Sequence, residues 1–300
     1  MKTQSKPITQ IEPQDTHKIS VGVTEIDELL AGGLTKGQVI MLAGQPGCGK
    51  STLVTQISKA LSIQGNKVLY VSGEESLPQI RSRADRLNAV NDNIICAEAV
   101  GLEQIIQTAN YYKPVFMVVD SLQMIHSAML KQAPSSPTQM RFCLDKLIDY
   151  AKTNGIIMLV IGHSTKTGII AGLLALQHMV DTVLFMTTDI TNVRKLQVYK
   201  NRYGEANVAT ELTMDTSGFR EFNHIKPTTI PISIPAAQYI NQNLQAAGKQ
   251  INIYKMVYDI TSAVLIATLG VTYGVAVYLL RVGVALPGII FAKPSRGRKR

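Results

Sequence analysis

One octapeptide constrains this chain more than any other feature. Gly44-Gln45-Pro46-Gly47-Cys48-Gly49-Lys50-Ser51 fits the phosphate-loop pattern G-x-x-x-x-G-K-[ST] at every fixed position. Ahead of it, Val39, Ile40, Met41 and Leu42 form an apolar run short enough for a buried parallel strand. Behind it, Leu53, Val54, Ile57, Ala60 and Leu61 recur at the spacing of one helical face. The loop is therefore expected to join a strand to a helix.

That placement suits polyphosphate chemistry. Glycines at 44, 47 and 49 let the backbone curl so that successive N–H groups point inward, and the helix behind offers its positive end. Lys50 can reach the β and γ phosphates, the Ser51 hydroxyl can ligate magnesium, and Thr52 continues the first helical turn. A nucleotide, with magnesium on its phosphates, is the expected ligand.

A chain of 300 residues has ample material for one large domain with an appendage. Cys48, Cys96 and Cys143 lie far apart and form no C-x-x-C pair, so neither a zinc ribbon nor a disulfide framework is expected. Residues 1–14 are polar without the apolar stretch of a signal peptide, and a reducing, cytoplasmic setting is the expectation. The net charge is +9, but residues 249–300 hold eight basic residues against Asp259 alone, leaving +2 for the rest. Global charge thus says little about nucleic-acid binding by the main body.

Residues 1–18 read as a flexible lead, and 21–37 as a turn, a short helix and a Gly-rich turn into the first strand. A second β-rich run at 68–72 is followed by Gly73-Glu74-Glu75-Ser76 and a helix from about 77 to 87 carrying several basic residues. Residues 93–96 are a weak strand, and 102–112 a helix. Then Val115-Phe116-Met117-Val118-Val119-Asp120 delivers a carboxylate at the end of a buried strand, the Walker B arrangement that holds magnesium or its water. Residues 122–137 read as a loop, 138–153 as an amphipathic helix, and 156–161 as a buried strand closing on Gly162-His163. Residues 183–186 and 196–199 add β-rich pieces, with 209–214 an antiparallel edge. Repeated alternation predicts an α/β fold with a mostly parallel central sheet and ligand loops at the carboxyl ends of its strands.

With these stretches assembled, the chain resembles the ATPase core of the bacterial RadA (Sms) DNA repair proteins, within the RecA, KaiC and DnaB grouping. The resemblance rests on residues 22–37, the loop at 44–52, LYVSGEESLPQIRSRADRL at 69–87, Val119-Asp120-Ser121-Leu122-Gln123, GHSTKTGIIAG at 162–172, 178–183 and Lys200-Asn201-Arg202-Tyr203-Gly204, the last a specific mark of RadA. It covers about residues 20–225 and implies a RecA-like core over 19–225 that hydrolyses ATP with magnesium.

The resemblance assigns roles. Glu74 matches the catalytic carboxylate that orients or deprotonates the attacking water, with Glu75 its rival; either also suits the acidic first turn of a helix. Lys200 and Arg202 resemble the segment that hexameric motors insert into a neighbour's ATP site, which implies a ring, although two cations around a Gly turn also suit a solvated hairpin. His163 is a candidate sensor beside the γ phosphate, or a structural histidine. DNA is the implied partner, through loops at 121–140 and 165–174, where Lys131 and Lys166 can hold phosphates. Against the family pattern, no four-cysteine ribbon and no Lon-like domain after Asn223 are recognisable, and Ala171-Gly172-Leu173-Leu174 departs in a DNA-facing loop. Rival readings are a KaiC-like regulatory ATPase without DNA and a membrane-tethered assembly protein.

After a linker at 226–248, residues 261–280 form twenty uncharged positions, enough to cross a bilayer, followed by Arg281, an apolar run to 292 and a basic tail. A buried hairpin is the alternative. The expectation is an apolar C-terminal segment, 249–300, with membrane association through 261–292.

Overall fold

The computed structural model describes residues 6–10, 17–163, 176–189, 193–221 and 228–229. All of them lie in the first of two compact units, Met1–Pro231. The expected loop at 165–174, with Lys166 and the Ala171–Leu174 departure, and the C-terminal segment lie outside the described residues. No helix among the described residues is long and apolar enough to cross a membrane.

Strands and helices alternate along the chain as read. The elements are β1 (Lys18–Ile19), α1 (Thr24–Leu29), β2 (Leu34–Thr35), β3 (Val39–Gly44), α2 (Lys50–Ile63), β4 (Val68–Ser72), α3 (Leu77–Arg86), β5 (Ile94–Glu98) and α4 (Leu102–Tyr112). They continue with β6 (Phe116–Asp120), α5 (Pro137–Asn154), β7 (Ile157–His163), β8 (Thr182–Thr188), β9 (Arg194–Asn201), β10 (Val208–Asp215), β11 (Gly218–Glu221) and β12 (Thr228–Thr229).

One sheet carries the order β11-β10-β9-β8-β3-β7-β6-β4-β5, with β12 also pairing β10. From β8 to β5 every neighbour is parallel, while β9, β10 and β11 add antiparallel strands on one side. The central strands are buried and apolar up to their carboxyl ends because helices cover both faces. Ile40 and Leu42 join Phe116, Val118, Leu159 and Ile161 in a core with Leu53, Val54, Ile57 and Leu61 of α2. The alternate residues Val39, Met41, Met117, Val119 and Val160 pack against Ile105 and Ala109 of α4 and Cys143, Leu144 and Leu147 of α5. Period two in the strands and i, i+3, i+4 in the helices meet on both faces.

Three local outcomes differ from the sequence reading. Lys18, assigned to the flexible lead, pairs with Thr35 in a small β1–β2 ladder, and its ammonium donates to the carbonyls of Leu30, Ala31 and Tyr203. Residues 209–214 are not an edge: the chain turns through Thr216-Ser217 and returns as β11, with Gly218 at φ +111° making the reversal. The stretch after β6 is less irregular than expected, since Leu122–Met124 form a 3-10 turn and Ser136 caps α5 by accepting from the Gln139 N–H.

Candidate nucleotide site

Four neighbouring parallel strands, β3, β7, β6 and β4, end at one edge of the sheet. Their registers put Gly44 opposite His163 and Ser72 opposite Asp120. Each strand is followed or closed by a residue singled out by sequence: the phosphate loop after β3, His163 at the end of β7, Asp120 at the end of β6, and Glu74 just past β4. Residues far apart in the chain thereby converge at the place where open α/β sheets bind ligands.

The loop leads directly into α2. Gly47 and Gly49 have φ of +79° and +105°, which provide the curl. Gly44 serves otherwise, because a side chain there would strike the Met186 carbonyl on β8. A side chain at Gly49 would come within 2.7 Å of the Phe219 ring, so the β10–β11 hairpin closes on the loop from behind. That hairpin is latched by Gln56 of α2, whose amide donates to the Phe219 carbonyl at 3.0 Å and accepts its N–H at 2.7 Å. Pro46 and Gly47 form the exposed tip, Gln45 is half-buried, and Cys48 and Thr52 point into the protein. Burial pushes the Cys48 thiol up.

Lys50 folds over the loop and donates to the Gly44 and Gln45 carbonyls at 2.9 and 3.0 Å. Burial lowers its ammonium below the usual lysine range, so an anion placed in the loop would meet a cation poorly served by water. Ser51 Oγ donates to Asp120 Oδ2 at 2.9 Å. A hydroxyl and a carboxylate are hard oxygen donors of the kind magnesium takes while keeping several waters, so these two residues fit the ion.

The two neighbouring glutamates have different fates. Glu75 is bound by the Arg83 guanidinium, Nη1 donating to Oε1 at 2.6 Å and also to Oε2. Glu74 is turned toward the sheet edge, where Oε1 accepts from Ser121 Oγ at 2.5 Å and faces His163 Nε2 at 3.0 Å. One ligand-type atom from each of Glu74, Asp120 and His163 lies within 4.8 Å of the others. The Asp120–Ser121 peptide is cis. Gln123 Nε2 donates to the His163 carbonyl at 3.1 Å, tying the turn after β6 to the end of β7.

Lys200 and Arg202 are not brought to this edge. Lys200 pairs with Val183 near the amino end of β8, whereas Gly44 pairs with Met186 near the other end. From Val183 to Met186, three strand residues separate these positions by roughly 10 Å. Lys200 Nζ donates to the carbonyls of Gln177, His178 and Val180, and Arg202 Nη1 to buried Asp181 at 3.1 Å. Asp181 also receives Lys152 at 2.9 Å and the Val39 N–H at 3.0 Å.

Sequence reasoning passed over Tyr70 and Arg83, both within bonding distance of the magnesium-type residues or their partners. The available signal was a tyrosine in an otherwise apolar buried strand, since a buried phenol needs a partner.

The sequence profile of the AAA-domain family matches residues 5–168, more than half of the chain. The chain belongs to the AAA-domain family. Its core is that of a P-loop ATPase. It is similar to "DNA repair protein RadA" of Bacillus subtilis strain 168, at 40% identity over 216 residues, covering 72% of this chain and 47% of the relative. The RadA of Aquifex aeolicus is 38% identical over 243 residues, covering 81% and 52%, and that of Chlamydia trachomatis 41% over 216, covering 72% and 48%. The chain spans about half the length of the curated relatives it matches.

Proposed function

We propose that the chain is a magnesium-dependent ATPase that assembles as a ring and acts on DNA in repair or recombination. The observation that carries the hydrolytic reading is the Glu74 carboxylate, held between Ser121 and His163 beside Asp120 while Glu75 is neutralised by Arg83. Glu74 is then the group that orients and deprotonates the attacking water. Lys50 and the N–H groups of the loop bind the phosphates, with Gly44, Gln45, Pro46, Gly47, Cys48 and Gly49 shaping the cradle and Thr52 the helix start. Ser51 and Asp120 hold Mg2+, which when bound supplies charge neutralisation at the transferring phosphoryl oxygens. His163 fixes Glu74 and senses whether the γ phosphate is present.

The ring reading rests on position. The cations at the far sheet edge reach an ATP site only if a neighbouring copy supplies them. Lys200 has its three donors engaged on its own chain, so Arg202, with donors to spare and a side chain 53% exposed, is the residue we assign to that role. DNA is inferred from the printed name of the relatives, with exposed Lys131 in the 121–140 loop as a phosphate contact. Residues 261–292 are the segment we assign to membrane association, readable by flotation of the full chain with vesicles.

The test is ATP turnover of the full chain with and without single-stranded DNA across a salt series. Magnesium-dependent turnover stimulated by DNA at low salt, with stimulation fading as salt rises, is the expected result. Robust turnover indifferent to DNA would instead support a regulatory ATPase that switches protein partners, and no turnover would overturn the hydrolytic reading.

A further inference from the structure

A chain of polar contacts leads away from the magnesium-type pair into the protein. Asp120 Oδ2 accepts from Ser51 Oγ and also from the Tyr70 hydroxyl, at 2.7 Å. The Tyr70 oxygen in turn accepts from Arg83 Nη2 at 3.1 Å. The direction is unambiguous: a guanidinium only donates and an ionised carboxylate only accepts, so the phenol proton must point at Asp120. Tyr70 is 1% exposed, so its hydroxyl has only these protein partners.

Arg83 braces the other ligand as well. Its Nε donates to Thr55 Oγ1 at 3.1 Å, and Thr55 Oγ1 donates to the Ser51 carbonyl at 2.7 Å. One guanidinium therefore links, through one intermediary each, the strand end that carries Asp120 and the helix turn that carries Ser51. Its side chain is only 9% exposed, and Glu75 balances its charge. An isolated arginine could not be buried there at acceptable cost, which gives Glu75 a purpose distinct from that of Glu74.

We infer that Tyr70 and Arg83 are positioning residues that set the affinity of the nucleotide site for its divalent cation, by fixing the Asp120 carboxylate and the Ser51 backbone relative to one another. The inference rests on the hydrolytic reading for its biological meaning but not for its test. Neither residue touches the reacting atoms. Partners that orient metal ligands typically contribute tenfold or more to metal affinity.

The experiment compares the wild-type full chain with Tyr70→Phe, which keeps the ring and its volume, and with Arg83→Lys, which keeps the charge but loses the fork. Mn2+ is the probe, its binding in the presence of a non-hydrolysable ATP analogue read by electron paramagnetic resonance, and Mg2+ dependence of ATP turnover is measured in parallel. Tyr70→Phe should weaken Mn2+ binding about tenfold, raise the half-saturating Mg2+ concentration to match, and recover turnover to within about twofold at saturating Mg2+. ATP-analogue binding without divalent cation should be unchanged. Mn2+ affinity of Tyr70→Phe within about twofold of wild type would overturn the inference, as would turnover lost equally at every Mg2+ concentration. Absence of wild-type turnover would count against the hydrolytic reading alone, because Mn2+ binding still decides this one. If Arg83→Lys fails to fold, Tyr70→Phe carries the decision.

Discussion

Glu74→Gln separates a base from a spectator at a site with two adjacent carboxylates. The amide has the shape of the acid, and its Oε1 can still accept from Ser121 Oγ, so the contact at 2.5 Å has a replacement and the surrounding loop has no reason to move. What is lost is the charge facing His163 Nε2 and the capacity to take a proton from water. A positioned general base contributes about 10²- to 10⁴-fold, or roughly 3–5 kcal/mol of barrier. Nucleotide affinity should hardly change, because the Lys50 ammonium and the loop amides that would bind phosphate have no bond to Glu74. Glu75→Gln is the matched control. It retains an acceptor for Arg83, and turnover should fall by less than about tenfold, through weaker bracing rather than lost chemistry. Phosphate release at saturating ATP, alongside titration with a fluorescent nucleotide, reads both quantities. Turnover of Glu74→Gln within about tenfold of wild type, or an equal fall in Glu75→Gln, would refute the assignment.

Two further outcomes follow from buried groups. Asp181→Ala should cost about 2–3 kcal/mol in urea denaturation, because it strands the buried Val39 N–H as well as removing the partner of Lys152 and Arg202. Asp181→Asn, which keeps an acceptor for Val39, should cost about 1 kcal/mol or less, since the two cations are 42% and 53% exposed and can turn to water; equal losses would show that the backbone contact is not the dominant one. Burial pushes the Cys143 thiol up to about 11. Because the unfolded thiol ionises first, its contribution to stability is intact below about pH 9 and is lost as pH rises from there through 11. The native protein at pH 8 should therefore leave Cys143 unalkylated by iodoacetamide, and the drop in stability between pH 8 and 10.5 should be smaller in Cys143→Ala.

The strands of the sheet and the two-faced burial were legible because both have short-range signals. Apolar runs such as 116–119 and 157–161, and helical stripes such as Leu53, Val54, Ile57 and Leu61, are local consequences of where a side chain points. Strand boundaries moved by a residue or two, as at β5 and β7, because hydrogen-bond register and not hydrophobicity ends a strand. The β10–β11 hairpin was missed because the return strand, Gly218–Glu221, is short and polar and owes its place to Gln56 across 163 residues.

From its own order of residues this chain determined a phosphate loop between a strand and a helix, a carboxylate closing a later strand, and an alternating α/β core, since each is written in contiguous chemistry. Only the tertiary structure decided where the two glutamates point, because one residue's difference in direction sends the Glu74 carboxylate to Ser121 and His163 and that of Glu75 to Arg83. It also set Lys200 and Arg202 at the opposite sheet edge and joined Tyr70 and Arg83 to the Ser51–Asp120 pair. Those outcomes depend on strand order and register, which bring together residues tens of positions apart and which no local pattern encodes.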